Sequence, residues 1–104
     1  MTIDELNALE ANSEQRRVLA HTLRRNCKSF DAKRTTYQIM KTVLDNRVAE
    51  MINMEGRRGE KLAFGRLELC TLITDCVKDL FPNEQMIVFK SHISDWLKQA
   101  PKRK

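Results

Sequence analysis

From Ile3 to Ala100 the apolar side chains recur at three- and four-residue spacing, and only three glycines and one proline interrupt them. Residues three or four apart lie on one side of an α-helix, so this spacing builds apolar stripes that other helices have to cover. The expectation is an all-α (mainly α) protein, a single small bundle of four to five helices over residues 1–104. Residues 101–104, "PKRK", read as a flexible basic tail. At 104 residues one core is enough, since a chain of this size buries roughly 65% of its unfolded surface.

Local punctuation divides the stripes. Thr2 followed by Glu5 is a capping-box signature, and Ile3, Leu6 and Leu9 give the first helix its apolar side. Asn12 or Ser13 can cap a second helix, or the chain can run through them. Val18, Leu19, Leu23, Cys27 and Phe30 then form its stripe, and it ends near Lys28. A third helix begins at Ser29 or Asp31 and carries Tyr37, Met40, Leu44, Val48 and Met51, widened by Thr36, Ile39, Val43 and Ile52. It reads as the longest of all and stops at Gly56, a left-handed cap ahead of the loop "EGRRGEK". Leu62, Leu69, Cys70, Ile73, Cys76, Val77 and Leu80 mark a fourth helix that ends before Pro82, because a residue preceding proline is pushed out of helical geometry. The last helix starts around Pro82 or Asn83. Met86, Phe89, Ile93, Trp96 and Ala100, thickened by Ile87, Val88 and Leu97, form its apolar side.

"KLAFGRLEL" reads two ways. Leu62 and Phe64 alternate before Gly65, and Leu67 and Leu69 after Arg66, which is the pattern of a short β-hairpin with glycine first in a type II′ turn. The helical alternative carries Gly65 in its interior at about 1 kcal/mol relative to alanine, which packing can offset. Helix is favoured, most firmly from Leu67 onward.

No apolar run approaches the roughly 18 residues that cross a bilayer, and "MTIDELNALE" is acidic where a signal peptide would be basic and then apolar. A cytoplasmic location is expected. Cys27, Cys70 and Cys76 sit among apolar residues at helical spacing, so they read as reduced core thiols. Met40, Met51, Met54 and Met86 likewise read as core filler.

The charge is segregated. The chain carries 19 Lys and Arg against 14 Asp and Glu, a net of +5, and its pI is 9.4. Between residues 16 and 34, Arg16, Arg17, Arg24, Arg25, Lys28, Lys33 and Arg34 face Asp31 alone. Wound at 100° per residue, the second helix gathers Arg17, His21, Arg24, Arg25 and Lys28 within about 100° of arc. Arg57, Arg58 and Lys61 add a second basic cluster on the loop. Clustered Lys and Arg supply the sequence-independent, counterion-releasing part of nucleic-acid affinity, and the same field attracts an acidic protein surface. A charged outer face is also what any amphipathic helix shows to water.

The chain contains no zinc-finger spacing, no aromatic RNP-like strand and no clear helix-turn-helix consensus. Its aromatic residues fall on the stripes assigned to the core, which argues against bases stacking on side chains. "SHISD" supplies Ser91, His92, Ser94 and Asp95, but consecutive helical positions radiate outward where a nucleophile, base and orienter must converge. Cys70 and Cys76, six apart, match no structural zinc pattern, although Cys27, Cys70, Cys76 and His92 could meet in a folded core. The sequence therefore points to a small non-enzymatic nucleic-acid-binding regulatory or accessory protein without cofactor or metal. Arg17, His21, Arg24, Arg25, Lys28, Arg57, Arg58 and Lys61 are its contact residues. The competing expectation is an inhibitor or adaptor that docks the same basic face on an acidic protein. No membrane partner is expected, and a homodimer formed through the long third helix or the apolar last one is.

Overall fold

The computed structural model describes residues 1–27, 30–56 and 62–102. Helices α1 (Ile3–Glu10), α2 (Ser13–Asn26), α3 (Ala32–Val43), α4 (Asn46–Ala49), α5 (Glu68–Leu80) and α6 (Met86–Lys98) build a mainly α-helical bundle. Between α4 and α5 lie two short strands, β1 (Ile52–Asn53) and β2 (Leu62–Ala63), and a 3-10 turn at Phe64–Arg66. A second 3-10 turn, Ala100–Lys102, takes in the start of the basic tail and buries Ala100. Among the described residues, no helix is long and apolar enough to cross a membrane.

Side-chain caps open the first four helices. The Glu5 N–H donates to Thr2 Oγ1 at 3.1 Å and the Thr2 N–H to Glu5 Oε1 at 3.0 Å, closing the capping box. The hydrogen bond from the Thr2 backbone holds the Glu5 carboxyl below its ordinary pKa, because it favours the charged form. Asn12 takes the Gln15 N–H at 3.0 Å, so α1 and α2 are separate helices. Asp31 takes the Arg34 N–H at 2.7 Å.

The single long third helix does not form. Leu44 is extended (φ −120°, ψ 128°), and the Asp45 carboxylate accepts the Val48 N–H at 3.0 Å to begin α4. An aspartate that bonds a backbone N–H three residues on competes with helix propagation. The break still buries Leu44, Val48, Ala49 and Ile52. Met51, assigned to the stripe, is 48% exposed instead. Gly56 is left-handed as expected (φ +74°), but it follows β1 and does not cap a helix.

Gly65 sits neither in a hairpin nor in an α-helix. Ile52 pairs with Leu62 and Asn53 with Ala63 in parallel register, and the Gly65 N–H donates to the Met54 carbonyl at 3.0 Å. The 3-10 turn drops Phe64 into the core with no exposed surface. That burial stabilises the fold by about 2 to 3 kcal/mol, more than an isolated hairpin turn contributes. Helix α5 follows from Glu68 and ends before Pro82, both near the expected places. Helix α6 starts at Met86, not at Pro82 or Asn83; Lys78 Nζ donates to the Pro82 and Glu84 carbonyls at 2.8 and 2.6 Å and holds the intervening turn.

Helix α3 packs along α6 and α2 along α5, and α5 also touches α1, α3 and α6. Leu6, Leu23, Ile39, Met40, Leu69, Ile73, Phe89 and Ile93 fill the space between them. The apolar sides of α3 and α6, expected to serve self-association, are thus turned toward each other within one chain, although Met86 and Ile87 of α6 stay exposed.

Helix α2 is turned relative to its expected facing. Ala20, Leu23 and Cys27 are buried and Leu19 partly so, while Val18 is 56% exposed and Phe30 90% exposed. At 100° per residue, the buried direction lies about 60° from the one the apolar residues imply, toward Arg16 and Arg24.

Candidate nucleic-acid interface

The turn of α2 redistributes the arginines assigned to one basic face. Arg16 Nη1 donates to the Leu9 and Glu10 carbonyls at 3.0 and 2.6 Å, satisfying the end of α1. Arg17 makes an ion pair with Glu14 one turn earlier. Arg24 is partly buried against α5, its Nε 2.7 Å from Asp79 Oδ2. The carboxylate lies off the N–H direction, so this contact is ionic rather than a directed hydrogen bond. Arg16, Arg17 and Arg24 line a cleft of about 250 Å³ between α2 and α5 that Glu68 and Asp75 also line. Arg24 thus meets a carboxylate of α5 and keeps 39% of its side chain exposed. His21 and Arg25 remain exposed at the outer side of α2. Lys28, Arg57, Arg58 and Lys61 lie outside the described residues.

A second basic surface, outside the contact residues expected from the sequence, runs along α3. Lys33, Arg34, Gln38 and Lys41 are exposed and Tyr37 is half-buried. These side chains occupy about 140° of arc, opposite the buried Thr36, Ile39, Met40 and Val43, and Phe30 directly precedes the helix cap Asp31. Lys33 Nζ lies 5.7 Å from the centre of the Tyr37 ring, and the Arg34 guanidinium lies 5.8 Å from the centre of the Phe30 ring. Both are cation–π pairs between residues four apart. Asp31 is the one acid within this stretch, and its Oδ1 caps α3 while its Oδ2 lies 4.0 Å from Arg34. The i, i+4 spacing of Phe30 with Arg34 and of Lys33 with Tyr37 was the available signal; placing both rings in the core hid it.

A further cavity lies elsewhere. A groove of about 980 Å³ runs between residues 52–55 and α6. The buried Ile52 and Leu97, the exposed Glu55, Lys90, Ser91, Lys98 and Lys102, and the half-buried Ser94 are among the residues that line it. Ile87 at its mouth is 71% exposed.

On α6, Ser94, Ser91 and Asp95 fall within about 100° of arc, and His92 projects about 60° beyond Asp95. Cys27, Cys70 and Cys76 are free and buried, and Cys76 Sγ lies 3.6 Å from the Ala20 carbonyl. Burial pushes the Cys70 and Cys76 thiols above the ordinary value of 9.0. Among the described residues, no group of three or more His, Cys, Asp or Glu is placed to hold a metal ion.

Comparison of the chain with family models, with curated proteins and with solved structures finds no match.

Proposed function

We propose that this protein is a non-enzymatic nucleic-acid-binding accessory or regulatory factor whose contact surface is the outer side of α3 together with His21 and Arg25 of α2. One observation carries the reading: Lys33, Arg34 and Lys41 stand exposed on a single helix side, and Asp31, the one acid of residues 30–41, caps the helix and lies 4.0 Å from Arg34. Exposed cations release counterions on meeting phosphate, and those already paired with a carboxylate, as Arg17, Arg24 and Arg34 are with Glu14, Asp79 and Asp31, release fewer than the exposed Lys33 and Lys41. Phosphate contacts of this kind position a backbone and carry no base sequence. Electrophoretic binding assays with duplex DNA, single-stranded DNA and RNA at low and moderate salt test the reading. Binding that weakens steeply with salt supports it, and absence of binding to all three at low salt overturns it.

A second reading, an adaptor or inhibitor docking on an acidic protein, is favoured by the groove beside α6. Its apolar Ile52 and Leu97 and its exposed Lys90, Lys98 and Lys102 suit an acidic segment with an apolar anchor. The two readings part cleanly in a binding assay, because neutralising Lys90 and Lys98 leaves the α3 surface intact.

A further inference from the structure

An exposed phenylalanine needs a reason. Phe30 leaves 90% of its surface in water although the bundle has an apolar core within reach of the neighbouring Cys27 and Ala32, both buried. One face of its ring meets the Arg34 guanidinium, 5.8 Å from the ring centre, and the high exposure leaves the other face to solvent. About two helical turns on, Tyr37 repeats the arrangement with Lys33 at 5.7 Å. Aromatic rings alternating with cations along one surface are what single-stranded nucleic-acid sites use, since the rings stack on bases while the cations follow the backbone.

We infer that Phe30 is a stacking platform for an unpaired base, with Arg34 set against its back face and Tyr37 as a second, more recessed ring, so that the α3 surface prefers single-stranded nucleic acid over duplex. The inference rests on the nucleic-acid reading above and adds to it the class of strand. In a duplex the base faces are covered by their neighbours, and a ring projecting from a surface reaches them only by unstacking a step, whereas the bases of a single strand present open faces. The guanidinium behind the ring strengthens the platform in two ways. It holds the ring in orientation through the cation–π contact, and its charge lies beside the position a flanking phosphate takes.

The test measures fluorescence anisotropy of a labelled short oligothymidine and of a labelled duplex, with wild type, Phe30→Ala, Phe30→Trp and Arg34→Gln. Phe30→Ala is expected to weaken oligothymidine binding by about tenfold or more while leaving duplex binding, the salt dependence and the melting temperature unchanged, since the side chain it removes is uncharged and exposed. Phe30→Trp is expected to keep the affinity, and its indole emission to be quenched on adding unlabelled oligothymidine; Trp96, buried, responds little. Arg34→Gln is expected to weaken both ligands and to lower the salt slope. Wild-type affinity of Phe30→Ala for oligothymidine, alongside intact salt-dependent binding, overturns the stacking inference and leaves the phosphate-binding reading standing. Failure of the wild type to bind either ligand at low salt overturns both.

Discussion

Glu10 and Leu69, 59 residues apart in sequence, are joined by a hydrogen bond: the Leu69 N–H donates to Glu10 Oε2 at 2.9 Å, while the Glu68 N–H donates to Glu10 Oε1 at 2.7 Å. Helix α5 has no cap from its own Leu67, so the last residue of α1 supplies the anion its N-terminus requires. The Glu10 carbonyl in turn accepts from Arg16 at 2.6 Å, which ties α1, α2 and α5 together at one point. Glu10→Ala is expected to lower the unfolding free energy by about 1 to 2 kcal/mol in urea denaturation, as loss of a side-chain cap does, without altering nucleic-acid binding. Glu10→Gln, which keeps one acceptor oxygen, is expected to fall between the two. A neutral effect of Glu10→Ala would show that α5 finds its cap elsewhere.

Alkaline pH is expected to weaken the fold through its thiols. Cys70 and Cys76 ionise above the ordinary 9.0 in the folded protein because burial disfavours the thiolate. The folded state therefore retains protons that the unfolded chain gives up, so the thiol contribution is complete below about pH 9 and is lost as pH climbs through the raised folded values. Thermal midpoints should stay level up to about pH 9 and then decline, and Cys76→Ala should make the decline shallower. Titration with a thiol reagent at neutral pH should modify all three cysteines slowly in the folded protein and rapidly in denaturant.

The two described glycines should respond differently from ordinary surface positions. A Cβ at Gly65 would stand 2.8 Å from the Met54 carbonyl oxygen, the atom its own N–H is bonded to, so the clash is with backbone. A Cβ at Gly56 would stand 2.8 Å from Ala63 Cβ, and the residue's φ of +74° adds strain for any L side chain. Gly65→Ala and Gly56→Ala are each expected to destabilise by about 1 to 3 kcal/mol, measured by chemical denaturation. Unchanged stability for Gly65→Ala would mean that the segment from Phe64 to Arg66 does not hold its 3-10 turn against Met54.

Arginines on the same helix should separate into two kinds. Arg24→Gln removes an ion pair with Asp79 in which the side chains stay 39% and 60% exposed, so it should cost no more than about 1 kcal/mol and barely change nucleic-acid affinity. Neutralising Lys33, Arg34 and Lys41 together should leave the melting temperature almost unchanged and lower the log-log salt slope on duplex DNA by roughly 0.9 for each phosphate that is no longer neutralised. An unchanged slope in that triple variant would remove α3 from the interface.

Features that depend on near neighbours along the chain are written in the local residue pattern. The caps at Thr2, Asn12 and Asp31 were legible because a cap joins a side chain to a backbone N–H three residues on, and the stop before Pro82 because proline restricts the residue before it. The mainly helical fold followed from the same short-range periodicity. Asp45 shows the edge of that legibility: its side chain was as good a cap signal as Asp31, but the stripe running through Leu44 and Val48 reads equally well across the break, since both are buried on either path. Tertiary structure decided the rest, because each remaining choice was settled by a partner distant in sequence. Leu62 pairs with Ile52 and not with a hairpin partner; Arg24 turns toward Asp79 and leaves Val18 in water; α5 takes its cap from Glu10. The candidate site follows the same division. Its positive charge was visible in composition, whereas the facing of α2 and the exposure of Phe30 depend on which side of each helix the core claims, and that is fixed only when α2 meets α5 and α3 meets α6.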